Sequence, residues 1–223
     1  AISEQYLPVG MESQIPKKPF SIALSITDKI DTLVGFFGIN EKPSSSKDPF
    51  ALRRVALGVI RTIVENKKDL KLNDLLNFSI MLFQDQGIKF SNNNVKQELN
   101  SFYKDRFKYY LKEKQIRPDI IEASTKSFPI NKLSSVFRKA KILNKIINTK
   151  IGHDILSSFK RASNILESEM KNNKVDIINT TDPGIFKTDF EKNLYKKIKE
   201  LKKNRRSYKL KKKSKSLFSS IFS

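Results

Sequence analysis

Apolar side chains recur along this chain at three- and four-residue spacing, which is the period of an amphipathic α-helix. After Pro19 such a stripe runs through Ile22, Ile26, Ile30, Leu33 and Phe37. Alternating apolar and polar positions, which would predict strands, are scarce. Glycines and prolines fall where helices would begin and end. The pattern therefore predicts an all-α protein.

The same spacing predicts further helices, separated by turns. Asp48 and Pro49 are expected to open the next one, because a carboxylate accepts from free first-turn amides and proline fits the first helical position. Gly87 is expected to cap a later helix, and Gly152 to lie between the two helices of a hairpin. The predicted ranges are 48–65, 72–86, 95–114, 118–123, 132–147, 153–170 and 188–203.

Two stretches of sequence are more particular than helix packing requires. Residues 28–40 read DKIDTLVGFFGIN, and residues 47–54 read KDPFALRR. Both resemble the beta-subunit family of bacterial tetrameric glycyl-tRNA synthetases, which carries a DKxDTLxGxFGI segment and then KDPFALRR at the same spacing. The resemblance covers about residues 1–201 and fades beyond them. The chain begins as if within a helix already under way, so we expect it to be a C-terminal fragment.

The resemblance implies three parts and a tail. Residues 1–47 match the C-terminal part of an HD-like helical domain, and residues 48–90 match a connecting helical region. Residues 91–206 match a helical-bundle anticodon-binding domain of the DALR type, which we expect to be incomplete. Residues 207–223 have no counterpart in the family, and their basic composition predicts a disordered tail.

Charge adds a partner class to this picture. The chain has 44 Lys or Arg against 23 Asp or Glu, a formal net charge of +21, which favours nucleic acid as partner. Residues 196–215 hold twelve Lys or Arg and one Glu, so about half of the excess lies there. The abundance of Lys, Asn and Ile also fits an AT-rich genome, which weakens charge as evidence for RNA binding. The absence of cysteine excludes disulfides and thiolate metal sites, as fits a cytoplasmic protein.

The helix at 95–111 carries candidate RNA contacts. Arg106 lies four residues after Phe102 and three before Tyr109, so the three share one side of the helix. Arginine can fork onto a phosphate or stack on a base, and aromatic rings stack on unpaired bases. The segment is similar to the F-x-x-x-R-x-x-x-x-[YL] helix of the DALR-type domain. For Arg106 and Tyr109 the sequence leaves two roles open, packing and RNA contact. Phe102 and Tyr110 are expected in the core.

A second candidate is the segment 159–166, FKRASNIL, which is similar to the KRxxNIL signature of the same domain. Lys160 and Arg161 place positive charge on the helix, and Asn164 can both donate and accept hydrogen bonds. The alternative for Asn164 is a buried hydrogen bond that ties its helix to the helix at 95–111. The two apolar residues that close the segment are expected in the core.

Four charged residues of the family motifs have two interpretations each. Asp28 and Asp31 could be remnants of an HD-type site, in which aspartates help to hold a divalent metal. The His-Asp pair of such a site is not in this sequence, so ion pairing or helix capping is the simpler role. Arg53 and Arg54 are neighbours and point to different sectors of a helix. At most one faces inward, and the other can reach an acidic side chain or a phosphate.

The resemblance implies a subunit of an aminoacyl-tRNA synthetase. In this family an alpha2beta2 enzyme attaches glycine to tRNA-Gly, and its alpha subunit binds ATP, Mg2+ and glycine. We therefore expect this chain to bind tRNA-Gly and the alpha subunit, with no catalytic residue, cofactor, metal or membrane association of its own. Two alternatives stay open: an HD-type metal-dependent phosphohydrolase, and a noncatalytic adaptor that grips nucleic acid or membrane through its basic tail.

Overall fold

The computed structural model describes residues 2–126, 130–173 and 182–203, and within these ranges it is helical with no strand. The all-α prediction is confirmed. The helices are α1 (Pro19–Gly38), α2 (Leu52–Glu65), α3 (Leu72–Asp85), α4 (Val95–Glu113), α5 (Pro118–Thr125), α6 (Leu133–Ile146), α7 (Lys150–Asn173) and α8 (189–203). Each coincides with a predicted helix to within a few residues.

Helix α1 is the centre of the core, as its apolar stripe predicts. It packs against α2, α3 and α4. Each buried aliphatic or aromatic side chain contributes about 1.5–3 kcal/mol by leaving water. The five residues of the predicted stripe are all 5% exposed or less: Ile22, Ile26, Ile30, Leu33 and Phe37.

Helix α4 supplies the bulkiest core side chains. Tyr103, Phe107 and Tyr110 are fully buried, which confirms the prediction for Tyr110. Phe102 is only partly buried, and its ring lies 5.2 Å from the ring of Phe37 at the edge of the core. The sequence pattern missed Tyr103, because its hydroxyl marks it as amphipathic although its ring occupies a core position.

The start of α2 corrects the sequence-based prediction. The helix begins at Leu52, because Ala51 takes a left-handed conformation with φ of 54° and interrupts a helix from Asp48. The predicted chemistry of the aspartate is nevertheless present. Its carboxylate accepts from the backbone N–H of Leu52 at 2.8 Å and of Arg53 at 3.0 Å. Pro49 lies in the turn before the helix and not at its first position.

Contacts divide the chain into two compact units, residues 1–160 and 161–223. Gly87, with φ of 76°, follows α3 as predicted, whereas Gly152 lies within the first turn of α7. The predicted domain boundaries at 47, 90 and 206 stay predictions. The basic tail at 207–223 lies outside the described residues. No helix of the described ranges combines the length and the apolar character that a bilayer crossing requires.

Candidate nucleic-acid interface

Helices α2 and α4 and the N-terminal segment (residues 2–13) enclose a cleft of about 510 Å3. We call it the arginine cleft. It unites two candidate groups that are far apart in sequence, the arginines of the KDPFALRR motif and the aromatic-flanked arginine of α4. Its lining residues are Pro8, Gly10, Met11, Asp48, Ala51, Arg53, Arg54, Leu57, Gly58, Arg61, Arg106 and Tyr109.

The electrostatic balance of the arginine cleft is positive. Of the described residues that line it, four are arginines and one is an aspartate, a formal charge of +3. The aspartate, Asp48, already accepts two backbone N–H groups of α2. A concave surface with an excess of one sign of charge concentrates its field, so the cleft favours anions.

Arg53 and Arg54 leave α2 in different directions. The guanidinium of Arg53 donates to the carbonyl of Ser44, and its side chain is half-buried. Arg54 is exposed, and its guanidinium forms no hydrogen bond or ion pair with any described residue. Arg54 is therefore the motif residue that remains available to an anion in the cleft.

Arg106 lies between two aromatic rings on α4. Its guanidinium carbon is 5.8 Å from the ring centre of Phe102 and 5.8 Å from that of Tyr109. Contacts of this kind contribute about 0.5–1 kcal/mol where solvent is near. The Nε of Arg106 is buried and has no acceptor among the described residues. Tyr109 is 40% exposed, so part of its ring remains accessible.

The N-terminal segment is fixed by two buried cations that the sequence analysis missed. The first is Lys29 of α1, which is 5% exposed. Its Nζ donates to the carbonyls of Gln5 and Leu7 and to the hydroxyl of Ser25, each at 2.9 Å. Burial lowers the pKa of Lys29, although the neighbouring carboxylate of Asp28 acts in the opposite direction.

Gly58 of α2 gives the stem of Lys29 its room. A Cβ on Gly58 would lie 2.9 Å from Cε of Lys29, closer than real Cβ contacts. The bare backbone at this helix position therefore permits the lysine to reach the N-terminal segment. A basic residue within an apolar stripe, as at position 29 between two buried isoleucines, is the signal that could have identified it.

The second buried cation is Arg61 of α2, which is 4% exposed. It donates to the carbonyls of Gly10 and Ser13, the latter at 2.7 Å, and to both carboxylate oxygens of Glu65 at 3.0 and 3.2 Å. Arg61 and Lys29 thus bind four carbonyls of one segment. The wall that this segment gives the arginine cleft is held by charge-assisted hydrogen bonds.

Glu65 connects the ends of α2 and α4. It accepts from the Tyr110 hydroxyl at 3.4 Å and lies 3.6 Å from the ammonium of Lys114. Burial alone would raise the pKa of Glu65, but the hydrogen bonds and charges of Arg61, Lys114 and Tyr110 outweigh it and lower that pKa. The ionised carboxylate therefore stabilises the fold above the ordinary glutamate pKa, and this contribution disappears as pH falls through the lowered value.

We predict that Glu65→Gln lowers the free energy of unfolding by about 1–2 kcal/mol at pH 7 and by clearly less at pH 3. As pH falls through the lowered pKa of Glu65, the native carboxylate becomes protonated and the two proteins become more similar. Urea unfolding at both pH values measures the difference. Glu113→Gln, which removes an exposed carboxylate from α4, is the matched control. An equal loss for Glu65→Gln at both pH values would contradict the ionic role.

The two aspartates of the DKxDTL motif lie outside the arginine cleft. Asp31 is exposed, and its carboxylate accepts from the hydroxyl of Ser79 at 3.3 Å. Asp28 is half-buried beside Lys29 and lines a neighbouring pocket of about 150 Å3, which shares Pro8 and Arg54 with the cleft. The described ranges contain no group of three His, Cys, Asp or Glu side chains placed to hold a metal ion.

The candidates of segment 159–166 lie exposed on α7. Lys160, Arg161 and Asn164 are all exposed. Ile165 and Leu166 are 59% and 51% exposed, so the prediction that they are core residues is wrong. Two adjacent apolar residues on a helix predict that this face packs against another element, but they do not identify that element.

Comparison with known proteins adds the family. A family model described as glycyl-tRNA synthetase beta subunit matches residues 1–126. Proteins named glycine–tRNA ligase beta subunit are also similar to this chain. The one from Cereibacter sphaeroides is 36% identical over 195 residues, which are 87% of this chain and 28% of that protein.

Two more relatives of the same name agree with this match. The protein of Dinoroseobacter shibae is 37% identical over an alignment of 216 residues, which covers 86% of this chain and 30% of that protein. The protein of Rickettsia canadensis is 37% identical over an alignment of 198 residues, which covers 87% of this chain and 27% of that protein. The chain spans less than a third of the length of these relatives. With more than half of its residues matched by the family model, the chain belongs to the glycyl-tRNA synthetase beta-subunit family.

Proposed function

We propose that this chain is a tRNA-binding part of a glycine–tRNA ligase, the enzyme that attaches glycine to tRNA-Gly in an ATP-dependent reaction. The observation that carries the proposal is the arginine cleft, where Arg54, Arg106 and Tyr109 meet. Family membership supports it, because the resemblance places tRNA binding on the beta subunit. The alpha subunit then supplies the adenylation site with ATP and Mg2+, within a cytoplasmic alpha2beta2 tetramer.

The physical contribution of the cleft is to neutralise and position the RNA backbone. Arg54 offers a free guanidinium to a phosphate, and Arg53 adds a second positive charge beside it. Such contacts release condensed counterions and fix the register of the RNA. Tyr109 offers a ring to a base, which is the usual route by which proteins read unpaired RNA.

The anticodon arm is the part of tRNA-Gly that we assign to this chain. Its loop presents unpaired bases. An exposed aromatic ring can stack on an unpaired base more readily than on a base inside a duplex. Lys160, Arg161 and Asn164 on the exposed surface of α7 are proposed as further RNA contacts. The proposed division of labour leaves bond formation to the alpha subunit and assigns no catalytic residue to this chain.

The test is a comparison of tRNA-Gly with a version whose anticodon bases are substituted. We predict that the 223-residue chain prefers tRNA-Gly by about tenfold or more across a salt series, since specific recognition survives when salt weakens both complexes. Arg106→Ala is expected to narrow that preference about fivefold. Fluorescence anisotropy with labelled tRNA measures the dissociation constants of both tRNAs.

The matched control is Arg138→Ala, which removes an exposed arginine of α6 that does not line the cleft. It should lower the affinity for both tRNAs slightly and equally, because it removes only long-range electrostatic attraction. An unchanged preference in Arg106→Ala would contradict the role of Arg106. Equal binding of the two tRNAs by the unmodified chain would overturn the proposed function.

A further inference from the structure

The walls of the arginine cleft differ in chemistry. Arg54 offers unpaired guanidinium donors, while Tyr109 offers part of an aromatic face. The apolar side chains of Met11 and Leu57 also line the cleft. A phosphate alone would need only the donors, and an apolar ligand only the ring and the aliphatic side chains. The combination fits a ligand with both an anionic group and a flat aromatic group.

The size of the cleft limits that ligand to one unit. Its volume of about 510 Å3 lies within the range in which proteins hold small organic ligands. A base-paired nucleotide keeps both ring faces inside the stack, whereas an unpaired nucleotide offers a free face to a side chain. The cleft therefore suits a single nucleotide that has left its stack.

The state of Arg106 points to the same ligand. Its guanidinium lies against the ring of Tyr109, and its buried Nε has no acceptor among the described residues. This contact holds the ring of Tyr109 in place from within α4, and the exposed part of the ring remains available to a base.

We propose that the arginine cleft binds one unpaired ribonucleotide of the RNA, with its base on Tyr109 and its 5′ phosphate on Arg54. This inference rests on the proposed function and specifies how the cleft would serve it. Arg53 neutralises the same phosphate, and Arg106 supports the ring of Tyr109 from within α4. Lys29 and Arg61 are positioning residues, because they fix the segment that forms the opposite wall.

The test uses fluorescein-labelled RNA probes on the full chain. The first is a single-stranded hexauridylate, the second is a hexamer of abasic ribose phosphates, and the third is a blunt RNA duplex of the same length. The first two carry equal charge, so attraction to the basic residues of the chain cancels in their ratio. We expect the hexauridylate to bind about tenfold more tightly than the abasic hexamer, and at least as tightly as the duplex.

Variants separate the base from the phosphate. Tyr109→Ala should lose about tenfold in affinity for the hexauridylate and leave the abasic hexamer within twofold, while Tyr109→Phe retains the preference. Arg54→Ala should weaken the binding of both hexamers by the same factor. It should also reduce the slope of log affinity against log salt concentration by about one. Arg138→Ala serves as the charge-matched control. Since Tyr109 and Arg54 are exposed, these variants should fold normally, which thermal unfolding checks.

Failure of this inference is distinguishable from failure of the proposed function. Equal binding of hexauridylate and abasic hexamer, or an unchanged preference in Tyr109→Ala, would overturn the single-nucleotide site. The preference for tRNA-Gly over its anticodon-substituted form, measured on the same protein, would then stand or fall by its own result. If the chain shows no preference for tRNA-Gly but still prefers hexauridylate to the abasic hexamer, the proposed function is overturned and the single-nucleotide site is supported.

Discussion

Arg61→Ala is expected to lower the free energy of unfolding by about 3–5 kcal/mol, the largest effect of any change considered for this chain. The guanidinium is buried and serves two carbonyls of the N-terminal segment as well as the carboxylate of Glu65. Its removal leaves a partly buried carboxylate without its nearest cation and two carbonyls without a donor. Urea unfolding at pH 7, followed by circular dichroism, measures the loss.

Two controls make this expectation specific. Arg61→Lys keeps the charge but cannot fork between carbonyl and carboxylate, so it should recover only part of the stability. Arg138→Ala removes an exposed arginine from α6 and should change the free energy of unfolding by no more than about 0.5 kcal/mol. A loss below about 1 kcal/mol for Arg61→Ala would show that water replaces the buried bonds without cost.

Lys29→Met is expected to release the N-terminal segment while the helical core stays folded. The methionine fills most of the space of the lysine stem, but the carbonyls of Gln5 and Leu7 lose their common donor. Hydrogen exchange of the backbone amides in residues 5–13 should accelerate about tenfold or more, since their local opening no longer breaks these bonds. Exchange in α1 and α4 should change much less.

The same variant connects the fold to RNA binding. The N-terminal segment contributes Pro8, Gly10 and Met11 to the arginine cleft, so its release should reduce affinity for tRNA-Gly about fivefold. Lys17→Met, which removes an exposed lysine from the approach to α1, controls for the lost charge. Equal losses in the two variants would mean that the segment contributes no geometry to the site.

The elements of the fold were predictable where burial follows a simple period. The stripe of α1 is an example, because each of its side chains meets another helix. The start of α2 was not predictable by the same means. The Asp-Pro pair indicates a carboxylate that caps free amides, but it does not reveal that a left-handed Ala51 places the cap four residues before Leu52.

The candidate site needed the packing of α2 on α4. The sequence places Arg106 and Tyr109 on one side of a helix, but nothing in its spacing brings Arg54 to the same cleft. The buried cations were harder still, since Arg61 resembles an ordinary solvated residue in a basic chain and only the place of Lys29 within an apolar stripe indicates its burial. Their role depends on hydrogen bonds to backbone carbonyls of the N-terminal segment. Every residue type has a backbone carbonyl, so the sequence does not show which ones accept.

Gly58 has an evolutionary consequence. A Cβ at this position would crowd the stem of Lys29, so we expect the glycine and the lysine to be inherited together. Descendants that replace either partner should replace both, or they should abandon that edge of the cleft. Covariation of these two positions among relatives would trace which lineages still maintain the pocket.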